Sequence, residues 1–286
     1  MKWLLLVTLV MALSACSMVR LGYSQLPELS HWWLDSYLDL DAAQSKTLRA
    51  DLGTLHTWHR QQELPWLAQT LNQLEAAAPQ NTSAAALCQT TDAVRLHLDL
   101  LTVQSVPMFT RLASSLTAAQ LDHLRRQLAK RRQDWQEEWG GADATKRRAD
   151  RLIERTEQFY GRLDASQKVL LRNSLAADPV DEQQWANDIR TRHLDIEQTV
   201  RRLSRGELAA SDAPAEMRAL LERLSRAADP QRSAQRQQMQ CKLFADLHNS
   251  ATTAQRQKLA ASLKAYATDA QAMTLLPVVV SNAAKP

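Results

Sequence analysis

The sequence predicts an all-α fold, an elongated multi-helix bundle with about eight helices behind a cleaved signal peptide. The chain is rich in the good helix formers Ala, Leu, Gln, Arg and Glu, and it has only 6 Gly and 9 Pro among its 286 residues. The one β-branched apolar run, Val278–Val280, lies in the tail and is too short to build a sheet. Leu121, Leu124 and Leu128 instead recur at helical spacing, which indicates helices with one buried face.

Residues 1–15 have the three-part layout of an export signal. A short basic start precedes an apolar run, Trp3–Leu13, which is shorter than the roughly 20 residues needed to span a bilayer. The next residues, Ser14-Ala15-Cys16, resemble the lipobox of bacterial lipoproteins, and this resemblance implies that Cys16 is the lipidated first residue of the mature protein. An ordinary secretory peptide with a chance cysteine is the alternative. Ser17 stands where lipoproteins retained at the inner membrane usually carry aspartate, which implies an outer-membrane protein facing the periplasm.

The mature chain is predicted to have three parts. A lipid-attached N-terminal segment, 16–40, precedes a helical domain, 41–274, and a flexible tail, 275–286. The Gly- and Pro-containing stretch 205–214 is the best candidate for a subdivision of the helical domain. The predicted helices are 42–77 with a bend at Pro65, 84–104, 118–159 with a potential break at Gly140-Gly141, 165–176, 180–204, 213–227, 231–249 and 253–273.

A four-fold recurrence marks four of these helix starts. An Asp or Thr precedes a Gln by three residues, as in a capping box, where the first side chain accepts from the third amide and Gln accepts from the cap amide. Each cap contributes about 1 kcal/mol. The four stretches are Leu40-Asp41-Ala42-Ala43-Gln44, Leu116-Thr117-Ala118-Ala119-Gln120, Leu163-Asp164-Ala165-Ser166-Gln167 and Ala251-Thr252-Thr253-Ala254-Gln255.

Two cysteines remain after Cys16, namely Cys88 and Cys241. An exported protein meets an oxidising compartment, which favours a disulfide between them. The bridge would tie the second long helix to a late helix across about 150 residues. Two separately buried thiols are the alternative.

Aromatic and histidine side chains are concentrated in the first fifth of the chain. They form either a binding surface near the membrane or a hydrophobic plug at one end of the bundle, and the plug is the commoner use of such residues. The candidate binding residues are Trp32, Trp33, Asp35, Trp58, His59 and Arg60. A weaker hypothesis is an enzyme acting on cell-wall or lipid substrates, with a site near Trp32, Asp35, His56, His59 and Glu63.

Other classes of site lack a sequence signal. His56 and His59 have a spacing that could place two imidazoles toward one metal, but no third ligand is indicated, so neither a metal nor a cofactor is predicted. The net charge of +4, which becomes +3 without Lys2, does not indicate nucleic-acid binding. Basic groups at 125–132, 146–151 and 201–205 could bind anionic lipid or acidic segments, but such residues more often keep helices soluble.

Two families resemble this chain. The stronger resemblance, over residues 20–270, is to uncharacterised Gram-negative helical lipoproteins, a family defined by a domain of unknown function. Its stretches appear here as Tyr23-Ser24-Gln25-Leu26-Pro27, Trp32-Trp33-Leu34-Asp35, Trp58-His59-Arg60 through Glu63-Leu64-Pro65, and Leu247-His248-Asn249-Ser250. It implies fold class and location without an activity. The weaker resemblance is to the Spy/CpxP-type periplasmic chaperones, whose Leu-Thr-x-x-Gln motif is matched in full only by 116–120.

These observations predict a membrane-anchored, non-enzymatic envelope protein that binds polypeptides in a chaperone-like manner. Its predicted partners are the membrane, through the N-terminal lipid, and envelope proteins or unfolded polypeptides, without nucleic acid. The alternatives are a structural spacer between membrane and cell wall and the envelope enzyme named above.

Overall fold

The computed structural model describes residues 18–141, 143–177 and 181–275. Within these ranges the protein is all-α, as predicted, and has no β-strand. The prediction of about eight helices was wrong, because the described residues form eleven α-helices, a π-helical segment and a short helical stretch at 18–24. The α-helices are α1 (Leu26–Leu38), α2 (Ala42–Trp58), α3 (Leu64–Ala77), α4 (Ala84–Ser115), α5 (Ala118–Trp139), α6 (Ala144–Tyr160), α7 (Ala165–Ala177), α8 (Glu182–Ser204), α9 (Ala213–Ser225), α10 (Pro230–Asn249) and α11 (Thr253–Leu275).

Three local features explain the different count. The predicted helix 42–77 is divided by the π-helical segment His59–Glu63, which begins before Pro65. The predicted helix 118–159 is divided between α5 and α6 near Gly140. The segment 26–38 forms α1, which the sequence analysis did not predict.

Helix α4 also runs past its predicted end at 104. Pro107 lies inside this helix, where a proline removes one backbone hydrogen bond. Its neighbours Val106 and Met108 are buried in the core, and this burial stabilises the helix against the local preference of proline.

Many of the buried apolar residues form two separate cores, while others, including Leu64 of α3 and Leu263 of α11, belong to neither. Core 1 takes residues from α1, α2, α4, α5, α8 and α9, whereas core 2 takes its buried residues from α6, the turn before α7, α7 and α10. Leu203 and Met217 both belong to core 1, so this core continues across the candidate subdivision 205–214. Leu38 of α1 is also buried in core 1, although the sequence placed 16–40 outside the helical domain.

All four predicted capping boxes are present. In each one the Asp or Thr side chain accepts from the Gln backbone amide, and the Gln Oε1 accepts from the amide of the capping residue. The four glutamine side chains are all buried, although glutamine is usually an exposed residue. Their burial shows that these glutamines do more than begin helices.

The glutamines pair across the fold, and we call each pair a clasp. In the first clasp, Gln44 Nε2 donates to Gln120 Oε1 at 3.1 Å and Gln120 Nε2 donates to Gln44 Oε1 at 2.6 Å. Each Nε2 also donates to the backbone carbonyl two residues before the partner's cap, Ser115 O for Gln44 and Asp39 O for Gln120. Asp39 has φ of 52°, a left-handed conformation that favours glycine and that non-glycine residues seldom adopt.

The second clasp repeats this arrangement. Gln167 Nε2 donates to Gln255 Oε1 at 3.0 Å, and Gln255 Nε2 donates to Gln167 Oε1 at 2.9 Å. The two carbonyls are Ser250 O for Gln167 and Arg162 O for Gln255. A glutamine amide can donate two hydrogen bonds and accept two, and each clasp side chain makes all four.

Candidate functional site

The predicted binding surface divides into an exposed part and a buried part. Trp32 and Trp33 on α1 are 70% and 55% exposed, so these two rings do not form a hydrophobic plug. Asp35 lies in the last turn of α1, and its Oδ1 accepts from the Leu40 amide just beyond the helix at 2.8 Å. Trp58 and His59 are half-buried and Arg60 is buried at the start of the π-helical segment. Arg60 therefore lies at an internal contact, while the two tryptophans face solvent.

The π-helical segment holds a buried polar cluster. Arg60 Nε donates to Met273 O in α11 at 3.0 Å, which joins this segment to the last helix. Glu63 Oε2 lies 2.6 Å from His97 Nδ1 of α4, and the His97 ring stacks on Trp66 with 3.5 Å between ring centroids. Extra residues inserted into a helix as π turns frequently occur at functional sites. Here the turn directs two charged side chains toward neighbouring helices.

The helical stretch 18–24 docks onto this cluster. The Tyr23 hydroxyl lies 2.8 Å from His59 Nδ1, and His56 Nε2 lies 3.1 Å from Tyr23 O. Arg20 Nε is 2.7 Å from Oδ1 of Asp269, a buried carboxylate of α11. Polar contacts from three separate elements therefore fix the orientation of the N-terminal stretch relative to the helical body.

Burial keeps Tyr23, His56 and His59 in their neutral forms. Loss of solvent raises the pKa of Tyr23 well above its usual value. Burial also lowers the pKa of His56, with a further contribution from the Arg60 charge, and burial lowers the pKa of His59. Near pH 7 both imidazoles are uncharged; His56 is influenced by the Arg60 cation, whereas the Glu63 carboxylate partly opposes the effect of burial on His59.

The contacts of this cluster bear on the two weaker sequence hypotheses. His56 and His59 both contact Tyr23, and no group of three or more potential metal ligands occurs among the described residues. Glu63 contacts His97, and Asp35 accepts a hydrogen bond from the Leu40 amide. The polar groups of the predicted enzyme site therefore have three separate partners within the fold.

Cys88 and Cys241 are joined in a disulfide, with 5.5 Å between their Cα atoms. The bond links the N-terminal half of α4 to α10 across a sequence separation of 153 residues. Cys16, the predicted lipidation site, lies outside the described residues.

Two apolar surfaces remain exposed. The first is the N-terminal apolar face, formed by Met18, Leu21, Leu26, Leu29, Trp32 and Trp33. The second consists of the α4 apolar rows, Val94 with Leu98 and Leu96 with Leu100. The members of each row are spaced four residues apart, and at 100° per residue the two rows lie on opposite sides of the helix. Exposed single leucines are ordinary, but contiguous apolar positions indicate interaction surfaces.

Some residues of the basic groups pair with neighbouring acids. Arg125 contacts Asp122, Arg151 contacts Glu138 and Arg202 contacts Glu216. Such exposed pairs contribute little to stability, but they neutralise the local field.

His97, Asp269 and the α4 apolar rows were not predicted from the sequence. His97 and the leucines around it resemble any amphipathic helix in sequence, so only their packing reveals which side is covered. The signal that could have been used was the density of leucine between Val94 and Leu101, which exceeds what a single buried face requires.

The fold is thus an all-α bundle with two cores, two glutamine clasps and two exposed apolar surfaces. A model of a family of unknown function, DUF6279, matches residues 36–208, more than half of the chain, and the chain belongs to this family. The matched region contains the first clasp and Gln167, and it ends before Gln255. No curated protein and no solved structure has a detectable similarity to the chain. Among the described helices none is long and apolar enough to cross a membrane.

Proposed function

We propose that this protein is a non-catalytic envelope lipoprotein, anchored through acylated Cys16, whose helical body binds apolar segments of other polypeptides in a chaperone-like manner. The α4 apolar rows carry this proposal. Leu96, Leu98 and Leu100 are 65%, 57% and 48% exposed in the middle of a helix whose two ends are held by other elements. Val106, Met108 and Leu112 of α4 lie in core 1, and Cys88 ties the beginning of this helix to α10.

The chemistry of these rows suits an unfolded client. An extended chain presents apolar side chains that gain by leaving water, and each fully buried leucine contributes about 1.5–3 kcal/mol. Arg95 and Asp99 lie between the leucines, and the opposite charges of these side chains suit clients of varied sequence. The weak likeness of 116–120 to the Leu-Thr-x-x-Gln motif of Spy/CpxP-type chaperones agrees with the proposal, although a capping box alone also accounts for this motif.

The test is a binding measurement with a permanently unfolded client, carboxymethylated lactalbumin, followed by fluorescence anisotropy. We expect the wild-type protein to bind, and the triple variant Leu96→Ser, Leu98→Ser, Leu100→Ser to bind at least about tenfold more weakly, a loss of about 1.4 kcal/mol. The matched control is Leu194→Ser, because Leu194 of α8 is 45% exposed and lies outside the rows.

The outcomes separate the hypotheses. Equal binding by the wild type and the triple variant would show that the rows are not the binding surface. No binding by the wild type would favour the spacer between membrane and wall. Because the substituted side chains are exposed, we expect the variant to keep its helices, and circular dichroism checks this.

A further inference from the structure

The helical stretch 18–24 and α1 together present one continuous apolar face. Gln25 N donates to Leu21 O, and Leu29 N donates to Gln25 O, so helical hydrogen bonding continues across the turn between the two segments. At 100° per residue, the six residues of the N-terminal apolar face fall within an arc of about 140°. The buried residues His31 and Leu38 lie on the opposite side.

This face carries no unpaired charge. Between residues 18 and 33 the charged side chains are Arg20 and Glu28. Arg20 contacts Asp269 and Glu28 contacts Arg49, so both are directed toward the helical body. The remaining exposed surface includes three leucines, a methionine and two tryptophans, a composition typical of segments that lie in the interfacial layer of a bilayer.

The distance to the predicted anchor is short. Met18 follows Cys16 by two residues, and two residues of extended chain span at most about 7 Å. If Cys16 carries acyl chains in the bilayer, the beginning of the apolar face cannot leave the membrane surface. The contacts of Arg20 and Tyr23 then fix how the helical body is oriented above it.

We propose that the N-terminal apolar face binds the surface of the lipid bilayer and buries Trp32 and Trp33 in the interfacial layer of the bilayer. This contact sets one orientation of the protein on the membrane. This inference rests on the lipid anchor of the proposed function. It adds that the protein surface itself binds lipid, through apolar contact and without charge attraction.

The experiment uses the mature lipidated protein reconstituted into vesicles of phosphatidylethanolamine and phosphatidylglycerol. Tryptophan fluorescence is compared with and without phosphatidylcholine brominated on its acyl chains. We expect strong quenching in the wild type and loss of most of it in Trp32→Phe with Trp33→Phe. The matched control is Trp135→Phe with Trp185→Phe, because these rings stack on each other between α5 and α8, and it should keep the quenching.

Flotation of the same vesicles separates this inference from the anchor. If the protein floats but its tryptophans are not quenched, the lipid anchor is supported and binding of the N-terminal apolar face to the bilayer is refuted. This result would also follow if residues 276–286 or a second copy covered the face. If neither the wild type nor Cys16→Ser floats and no quenching occurs, both the lipid anchor and the binding of the apolar face to the bilayer are refuted. Quenching that disappears at high salt would refute the apolar contact, because screening weakens charge attraction.

Discussion

The two clasps have the same hydrogen bonds in different surroundings. The first is surrounded by core 1, to which six helices contribute, and the second by core 2, whose buried apolar residues in the described chain are Ile153, Leu163, Leu171 and Leu247. An identical polar link thus joins helix starts both in a large core and in a small one. The clasp therefore determines which helix starts come together, while apolar burial determines the local stability of each region.

The disulfide acts on the weaker region. Cys241 is in α10, the same helix that places Leu247 in core 2, and its partner Cys88 is in α4, which continues into core 1. A covalent link to the better packed region compensates for limited apolar burial, as in small domains that rely on disulfides. We make four predictions from this comparison, beginning with the largest effect.

Removing the disulfide should lower the free energy of unfolding by about 3–5 kcal/mol, because the bond closes a long loop in the unfolded chain. In Cys88→Ser with Cys241→Ser, we expect hydrogen exchange to quicken in α6, α7 and α10 more than in α2 and α5. Urea denaturation measures the total loss. Added reductant should reproduce it in the wild type and leave the double variant unchanged. An equal increase of hydrogen exchange in all of these helices would contradict the difference between the two regions.

Breaking one clasp should cost about 2–4 kcal/mol, because the partner glutamine remains buried with unpaired polar atoms. Gln120→Ala tests the first clasp and Gln255→Ala tests the second. We expect the second variant to lose local structure around core 2 before global unfolding, since fewer apolar contacts remain there.

Double substitution measures the coupling within each clasp. Gln44→Leu with Gln120→Leu should cost less than the sum of the single variants Gln44→Leu and Gln120→Leu, because neither glutamine side chain is then left buried without its partner. If the double variant instead costs that full sum, the two side chains do not interact, and the clasp has no energetic meaning. The corresponding pair Gln167→Leu with Gln255→Leu provides the comparison.

The smallest effect is a pH dependence in the region of core 1. Burial and the charge of Arg132, whose Nη1 lies 2.9 Å from the imidazole, lower the pKa of His193 to about 4. The unfolded chain binds this proton first, so the stability contribution is present above about pH 6.5 and decreases as the pH falls toward 4. Between pH 7 and 5.5 the loss should be about 1 kcal/mol or less, since the site is only half-buried.

Thermal melts of the wild type and His193→Gln measure this effect. The variant should show a shallower decrease of the melting temperature in that pH interval. Equal slopes would mean that His193 is protonated in the folded protein as readily as in the unfolded chain.

Local signals predicted much of the fold. The capping boxes at Asp41, Thr117, Asp164 and Thr252 act within one helical turn, so their residues alone indicate where helices begin. Helix ends inside long periodic stretches were less certain. The π-helical segment interrupts the predicted helix ahead of Pro65. Helix α4 continues through Pro107, because packing outweighs the local preference.

The candidate site was predicted only in part. The sequence identified Trp32 and Trp33 as candidate binding residues, and the structure leaves them exposed. It grouped them with Arg60, which is buried against Met273 O from the far end of the chain. The α4 apolar rows were not predicted, because helical periodicity cannot show whether a neighbour covers a given leucine.

The sequence by itself determined the helical class, the four capped helix starts and the amphipathic pattern, since all of these depend on residues within a few positions of one another. The tertiary structure decided which capped starts meet, because Gln44 and Gln120 are 76 residues apart and Gln167 and Gln255 are 88 apart. It also decided which apolar surfaces remain open to a membrane or a client. Exposure depends on every element that packs nearby, and no local stretch of sequence contains that information.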